Sequence, residues 1–255
     1  YVGLDLSAKT DLTAMVLMAY REKWHVKAYF WTPANGLRDR AKRDRAPYDI
    51  WEQQGFIRAI PGASIDYETV AKDIADILVD CDVKALAFDR WRFDLLKKEM
   101  DELGLDLPLM PFGQGFKDMA PAIDRLEELL LNEQVAHGMN PVLTMCMSNA
   151  RIEQDAAGNR KMNKGKATGR IDGAVALAMA TGMTKSEEVE INIDEFIKII
   201  KAAPTPPDAK RELLLKSWDS EVVREMLSRA EKDAPGGRNS FRPEDLDPAA
   251  GMQAD

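Results

Sequence analysis

Histidine and cysteine are nearly missing from this 255-residue chain, which has two of each. Cys81 and Cys146 cannot build a disulfide framework or a cysteine-rich zinc site, so a reduced, cytoplasmic setting is expected. His25 and His137 are too few for a histidine-rich centre. Any metal must therefore sit among oxygen ligands, which favours hard cations such as magnesium or manganese. No apolar run reaches the roughly 18–20 residues of a membrane span and no signal peptide opens the chain, so no membrane partner is expected. Positive charge is also short. The net charge of −8 excludes a simple basic coat for nucleic acid. Starting at Tyr1, already inside a strand-like stretch, the sequence reads as a piece of something longer.

What positive charge there is lies in two places. From Arg151 to Arg170 there are six basic residues (Arg151, Arg160, Lys161, Lys164, Lys166, Arg170) against Glu153 and Asp155, a balance of +4. Leu37–Arg45 has five basic residues against two acidic, or +3. Either stretch alone reads equally as a solvated loop.

Apolar alternation predicts three opening strands, Tyr1–Leu6, Leu12–Tyr20 and Trp24–Trp31. The short links between them imply an antiparallel meander. Residues 38–55 are polar and helical in pieces, and Phe56–Ile60 is a short strand stopped by Pro61-Gly62. The spacing then predicts a helix over Asp66–Asp80, the apolar strand VKALAFD ending at Asp89, and a helix over Phe93–Leu103. LPLMPF reads as a further strand, with helices at Pro121–Asn132 and Ile171–Met183. Helices and strands alternating after a meander predict an α/β fold, a mixed β-sheet flanked by helices. Beyond Lys185 the chain turns acidic and proline-rich. A domain over residues 1–184 is expected, followed by a helical C-terminal appendage over 185–255 whose helices lie near Ile193–Ala202 and Pro207–Arg229 and whose last stretch reads as disordered.

Three aspartates carry the chemistry. Asp5 lies on the polar face of the first strand, where aspartate is disfavoured. Asp89 ends an apolar strand, a usual place for functional groups in an open sheet. Asp172 stands in the first turn of an Ala-rich helix. Each has an ordinary alternative: bonding the SAKT bend, capping the next helix, or complementing a helix dipole. Together, their order on strand, strand and helix matches the ribonuclease-H-like arrangement, in which two acidic strands lie side by side and the helix packs across them. Gly173, Ala174, Ala176, Ala178 and Ala180 would let that helix approach closely. Three carboxylates suit a pair of divalent ions about 4 Å apart acting on a phosphodiester.

The segments GLDLSAKTDLTAMV, FWTPANGLRDRAKRDRAPYDIW, AFDRWRFDLL, PFGQGFKDMAPAIDRLEELL, HGMNPVLTMCMSNARIEQDAAGNRKMNK and KATGRIDGAVALAMA closely resemble the nuclease domain of tailed-phage terminase large subunits. That resemblance implies a two-metal endonuclease using two Mg2+ or Mn2+ ions. It would cut double-stranded DNA during genome packaging in a bacterial host's cytoplasm, and its partners would be the portal or the small terminase subunit. The family's acidic triad falls on Asp5, Asp89 and Asp172. Arg90, Trp91 and Asn149 resemble positions near the site and suit structural roles equally, while Met145, Cys146 and Met147 suit packing. With the basic stretch Arg151–Arg170 read as a hairpin that immediately precedes Asp172, Arg151, Arg160, Lys161, Lys164, Lys166 and Arg170 become candidate phosphate contacts. No recognition helix or zinc finger offers base-edge readout. No GxxxxGK[ST] loop occurs, so ATP hydrolysis is not expected of these residues. The stretch NIDEFIKIIKAAPTPPDAKRELLLKSWDSEVVREMLSRA resembles a helical part of the DNA gyrase A protein, without catalytic context. Two alternatives stand beside the nuclease: a non-catalytic assembly module of a packaging complex, and a fragment like that gyrase protein.

Overall fold

The structure, a computed structural model, describes residues 1–7, 11–90 and 93–184. The expected tail, residues 185–255, lies outside the described residues.

Three strands open the chain: β1 (Val2–Asp5), β2 (Thr13–Arg21) and β3 (Lys23–Pro33). They form the expected meander, with β1 and β2 antiparallel, and β2 pairing β3 in register from Thr13–Trp31 to Arg21–Lys23. So tight a hairpin leaves Glu22 alone at the turn, in the left-handed region at φ 63°. Helices α1 (Leu37–Asp44) and α2 (Tyr48–Gln53) follow, then β4 (Arg58–Ile60), parallel to β3.

The chain next crosses to the other side of β1. Helix α3 (Tyr67–Leu78) starts at an Asp66 cap, whose carboxylate accepts from the Thr69 amide. It leads into β5 (Leu86–Phe88), parallel to β1. Helix α4 (Phe93–Glu102) and β6 (Leu109–Pro111) repeat the step, giving the sheet order β4-β3-β2-β1-β5-β6. Then come α5 (Phe116–Leu131), β7 (Val135–Ala136, parallel to β3), α6 (Pro141–Asn149), the hairpin β8 (Ile152–Gln154) and β9 (Arg160–Met162), and α7 (Asp172–Met183).

Strand alternation divides the core into two layers. Val2, Leu4, Met15, Trp31, Leu86 and Phe88 pack with α3 and α4 on one face. Ala14, Val16, Met18, Phe30 and Ala87 pack with α5, α6 and α7 on the other. The result is a mixed sheet between helical layers.

Helix α7 is buried for ten consecutive residues, Asp172–Thr181, because β1, β2 and β5 lie on one side of it and α5 and α6 on the other. Such contact needs small residues on both partners. A Cβ added at Gly3 would come within 1.9 Å of the Ala176 carbonyl oxygen, and one at Gly173 would strike the Phe30 ring. The Ala-rich stripe therefore serves the close approach expected from it.

Three elements differ from the sequence expectation. Helix α5 begins at Phe116, five residues before the predicted start at Pro121. Proline lacks the N–H that would bond back one turn. Burial of Met119, Ala120, Ala122 and Ile123 holds that first turn despite the missing bond. Helix α6 and strand β7 were not anticipated. The first is a short segment held by an Asn140 cap that accepts from the Val142 and Leu143 amides, and the second has only two residues. Cys146 is fully buried in the α7-side core, as a packing residue should be.

Candidate active site

Asp5 ends β1 on the α7 side of the sheet, sharing strand parity with Gly3, and is 2% exposed. Asp172 is the first residue of α7 and is also buried. The segment leading to Asp172 is clamped from both sides. The Asn149 amide donates to the Arg170 carbonyl, and the Thr168 hydroxyl donates to the Asn149 side-chain carbonyl. The Arg170 guanidinium pairs with Asp11 at 2.7 Å and Asp44 at 3.1 Å, tying the start of α7 to the end of α1.

Between the two buried carboxylates sits an ammonium. Lys164, from the turn between β9 and α7, donates to both Asp5 oxygens, at 2.7 Å and 3.0 Å. Its Nζ also lies 3.6 Å from Asp172 Oδ1. The Gln114 amide completes the Asp5 surroundings, donating to Oδ1 at 3.0 Å.

Burial dominates the electrostatics. It pushes the Asp5 carboxyl above its usual range, against the opposing pull of the Lys164 ammonium and the Gln114 amide. Asp172 is pushed up to about 7, first by burial and then by the charge of Asp5. Burial alone would lower the Lys164 ammonium, but the charges of Asp5 and Asp172 outweigh it and raise it.

Asp89 follows β5. The register Gly3–Ala87 and Leu4–Phe88, continued one step, sets Asp89 beside Asp5, and its charge adds to the upward push on Asp5. It is half-buried, at the edge of a cleft of about 640 Å³ that it lines with Arg90, Phe112, Gln114, Lys117 and Asp118. Among the described residues no three acidic, histidine or cysteine side chains converge closely enough to hold a metal ion as a group. The structure thus brings Asp5 and Asp172 onto one cation and leaves Asp89 as a flanking charge.

The six basic candidates of the hairpin region meet protein partners. Arg160 pairs with Asp124 and Glu127 of α5. Lys161 lies 4.4 Å over the Phe116 ring and 3.6 Å from Glu153, which Lys166 also approaches at 3.5 Å. Arg151 donates to the Ser148 and Ala150 carbonyls. Lys164 and Arg170 face the site. Asn149 has the structural role open to it, Arg90 is exposed beside Asp89, and Trp91 lies outside the described residues.

Sequence reasoning missed Gln114 and the Asp11–Arg170–Asp44 bridge. Gln114 follows β6, the parallel neighbour of β5, and strand-end logic of the kind that marked Asp89 could have found it. Asp11 and Asp44 carried no such signal, since their partner Arg170 lies more than a hundred residues away in sequence.

Residues 1–188 match the family model described as "Terminase large subunit, endonuclease domain". The large terminase subunit of Enterobacteria phage HK97 is 55% identical over 201 residues, covering 77% of this chain and 40% of that protein. The chain thus spans about two fifths of that curated relative's length. The crystal structure of the HK97 bacteriophage large terminase superposes with a TM-score of 0.68 at 58% identity, over 71% of this chain and 38% of that one. It confirms the ribonuclease-H-like fold expected from the sequence. The DNA gyrase A protein of Pseudomonas aeruginosa is 45% identical over 62 residues, 24% of this chain and 6% of that protein. Among the described residues no helix is long and apolar enough to cross a membrane.

Proposed function

The chain belongs to the terminase large subunit endonuclease-domain family, and from that premise we propose that it cleaves double-stranded DNA by metal-dependent hydrolysis at Asp5, Asp89 and Asp172. The observation that carries this reading is the meeting of two buried carboxylates, from β1 and α7, at one cation.

The donor chemistry of Asp5 and Asp172, which already share one cation, suits a divalent ion. Their donors are hard oxygens, as magnesium or manganese prefers. Two buried carboxylates with raised proton affinity form a site whose charge calls for a positive partner, and the Lys164 ammonium already stands in that role. Asp5 and Asp172 would hold the ions, with Asp89 joining from the cleft side. Bound there, two divalent ions would lower the pKa of an attacking water and neutralise charge at the departing oxygen.

The protein supplies positioning. Asp5 is fixed by its strand and by Gln114, and Asp172 by its helix and the Asn149 and Arg170 clamps. The cleft beside Asp89, with Arg90 and Lys117 on its walls, gives a phosphate backbone access. Arg151, Arg160, Lys161, Lys164, Lys166 and Arg170 would contact flanking phosphates. Exposed ion pairs of the kind Arg160 and Lys166 make are worth at most about 1 kcal/mol each, so phosphates can exchange with their present partners. Within a longer protein this cutting would serve genome packaging, alongside a portal and a small terminase subunit.

Plasmid DNA incubated with the chain and manganese should be nicked and linearised. Asp5→Ala should lower the rate at least about a thousandfold, the scale of losing a main electrostatic element of a catalytic site. Full activity in that variant would sink the assignment. A wild-type chain that binds DNA or packaging partners without cutting would favour a non-catalytic assembly module.

A further inference from the structure

We propose that Lys164 is the resident cation of the carboxylate site and that a divalent ion must displace its ammonium in order to bind. This rests on the metal-site reading above, and it assigns Lys164 a role beyond contacting phosphates.

An ammonium that bonds both oxygens of Asp5, at 2.7 Å and 3.0 Å, and reaches Asp172 at 3.6 Å fills the space where an ion shared by those carboxylates would lie. Two positive charges about 4 Å or less apart repel strongly in a buried setting, so the ammonium and the ion compete.

Lys164 is built to leave. Its four-carbon stem is flexible and its side chain is 44% exposed, which gives it a route outward. The turn that carries it closes through local bonds, Lys166 N–H to Asn163 Oδ1 and Asn163 N–H to the Arg151 carbonyl. Nothing in those bonds requires the ammonium to stay inward. Once released, it would join Lys166, which follows it by two residues in the same turn, among the basic groups proposed above to contact phosphates. Lys164 would therefore hold Asp5 and Asp172 in a usable arrangement before loading, and would set how readily the site loads.

The test is calorimetric titration of manganese into the full chain without DNA, comparing wild type with Lys164→Met, which keeps an unbranched stem one atom shorter and removes the charge. Lys164→Met should bind manganese at least about tenfold tighter, and Lys164→Arg should return the affinity toward wild type. Wild-type chain gives an independent measure that needs no variant. Acylation of the Lys164 amine, read by mass spectrometry with exposed Lys166 as internal reference, should increase when manganese is added. Equal or weaker affinity in Lys164→Met, or acylation that manganese leaves unchanged, overturns the displacement while the metal site stands. Failure of wild type and Lys164→Met alike to bind manganese overturns the metal-site reading, and the displacement with it.

Discussion

The α7–β1 interface and the β8–β9 hairpin both deliver groups to the same place, yet they are held by different physics. The interface is buried and formed of backbone and small side chains, with Gly3 against the Ala176 carbonyl. The hairpin rests on α5 through the paired carboxylates of Asp124 and Glu127 and the face of Phe116, all near solvent. Close packing tolerates almost no displacement, whereas exposed ion pairs exchange readily with water and other ions. Asp5 and Asp172 come from the first kind of structure and Lys164 from the second. A site whose carboxylates must keep station while their cation changes is best assembled this way.

The sharpest way to break the contrast is at Gly3. Gly3→Ala should destabilise the protein by about 3 kcal/mol or more, because the added carbon meets backbone that cannot swing aside. For a domain of this size that is on the order of a 10 °C fall in melting temperature. Circular dichroism during heating measures it. A loss under about 1 kcal/mol would mean that α7 lifts from the sheet easily and that the carboxylates are less firmly placed than the packing implies.

The two regions were also unequally legible in the sequence. The interface announced itself, since alternation placed Gly3 and Asp5 on one face of β1 and the Gly/Ala run of α7 signalled close contact. Asp89 followed from a strand end. The hairpin's charge was visible, but its pairing was not. Which carboxylate meets Arg160 depends on α5 passing beneath β9, and nothing local in either segment encodes that approach. Lys164 stood among six similar basic residues, and only the fold shows that one of them turns inward to Asp5. The start of α5 was misplaced for a related reason: Pro121 reads locally as a first helical residue, and the tertiary burial of Met119 and Ala120 extends the helix ahead of it.

A change of pH should act on the buried region and spare the hairpin. Asp172, with an ordinary value of 3.8, is pushed to about 7 in the folded chain. Between those values the folded state binds a proton that the unfolded chain has released. This contribution to stability is therefore complete below about pH 4 and is lost as pH rises through about 7. The loss should be on the order of 1–3 kcal/mol, less than the full shift implies because the neighbouring Lys164 ammonium adjusts with it. Melting curves in chelator from pH 5 to pH 8 should fall for wild type and stay flatter for Asp172→Asn, which should be the more stable of the two at pH 8. An Asp172→Asn protein less stable than wild type at pH 8 would show that the ionised carboxylate is net stabilising where it sits.

The smallest effect belongs to Arg160, and it decides whether the two regions are separable. Arg160→Ala removes the pairs to Asp124 and Glu127 but leaves the core untouched, so global stability should drop by under about 1 kcal/mol. Locally the consequence should be larger, because those pairs are the hairpin's main charged tie to α5. Amide exchange should quicken at Asp155 and Asn163, whose N–H groups close the hairpin on the Asn159 and Arg151 carbonyls. In α7 the amides lie under close packing and should exchange at their original rates. Hydrogen exchange read by mass spectrometry distinguishes the segments. Quickening confined to residues 151–166 would establish that the hairpin opens by itself, carrying Lys164 away from carboxylates that stay in place. Equal quickening in α7 would make the hairpin and the helix one cooperative unit, and a cation could then not be exchanged without disturbing the residues that bind it.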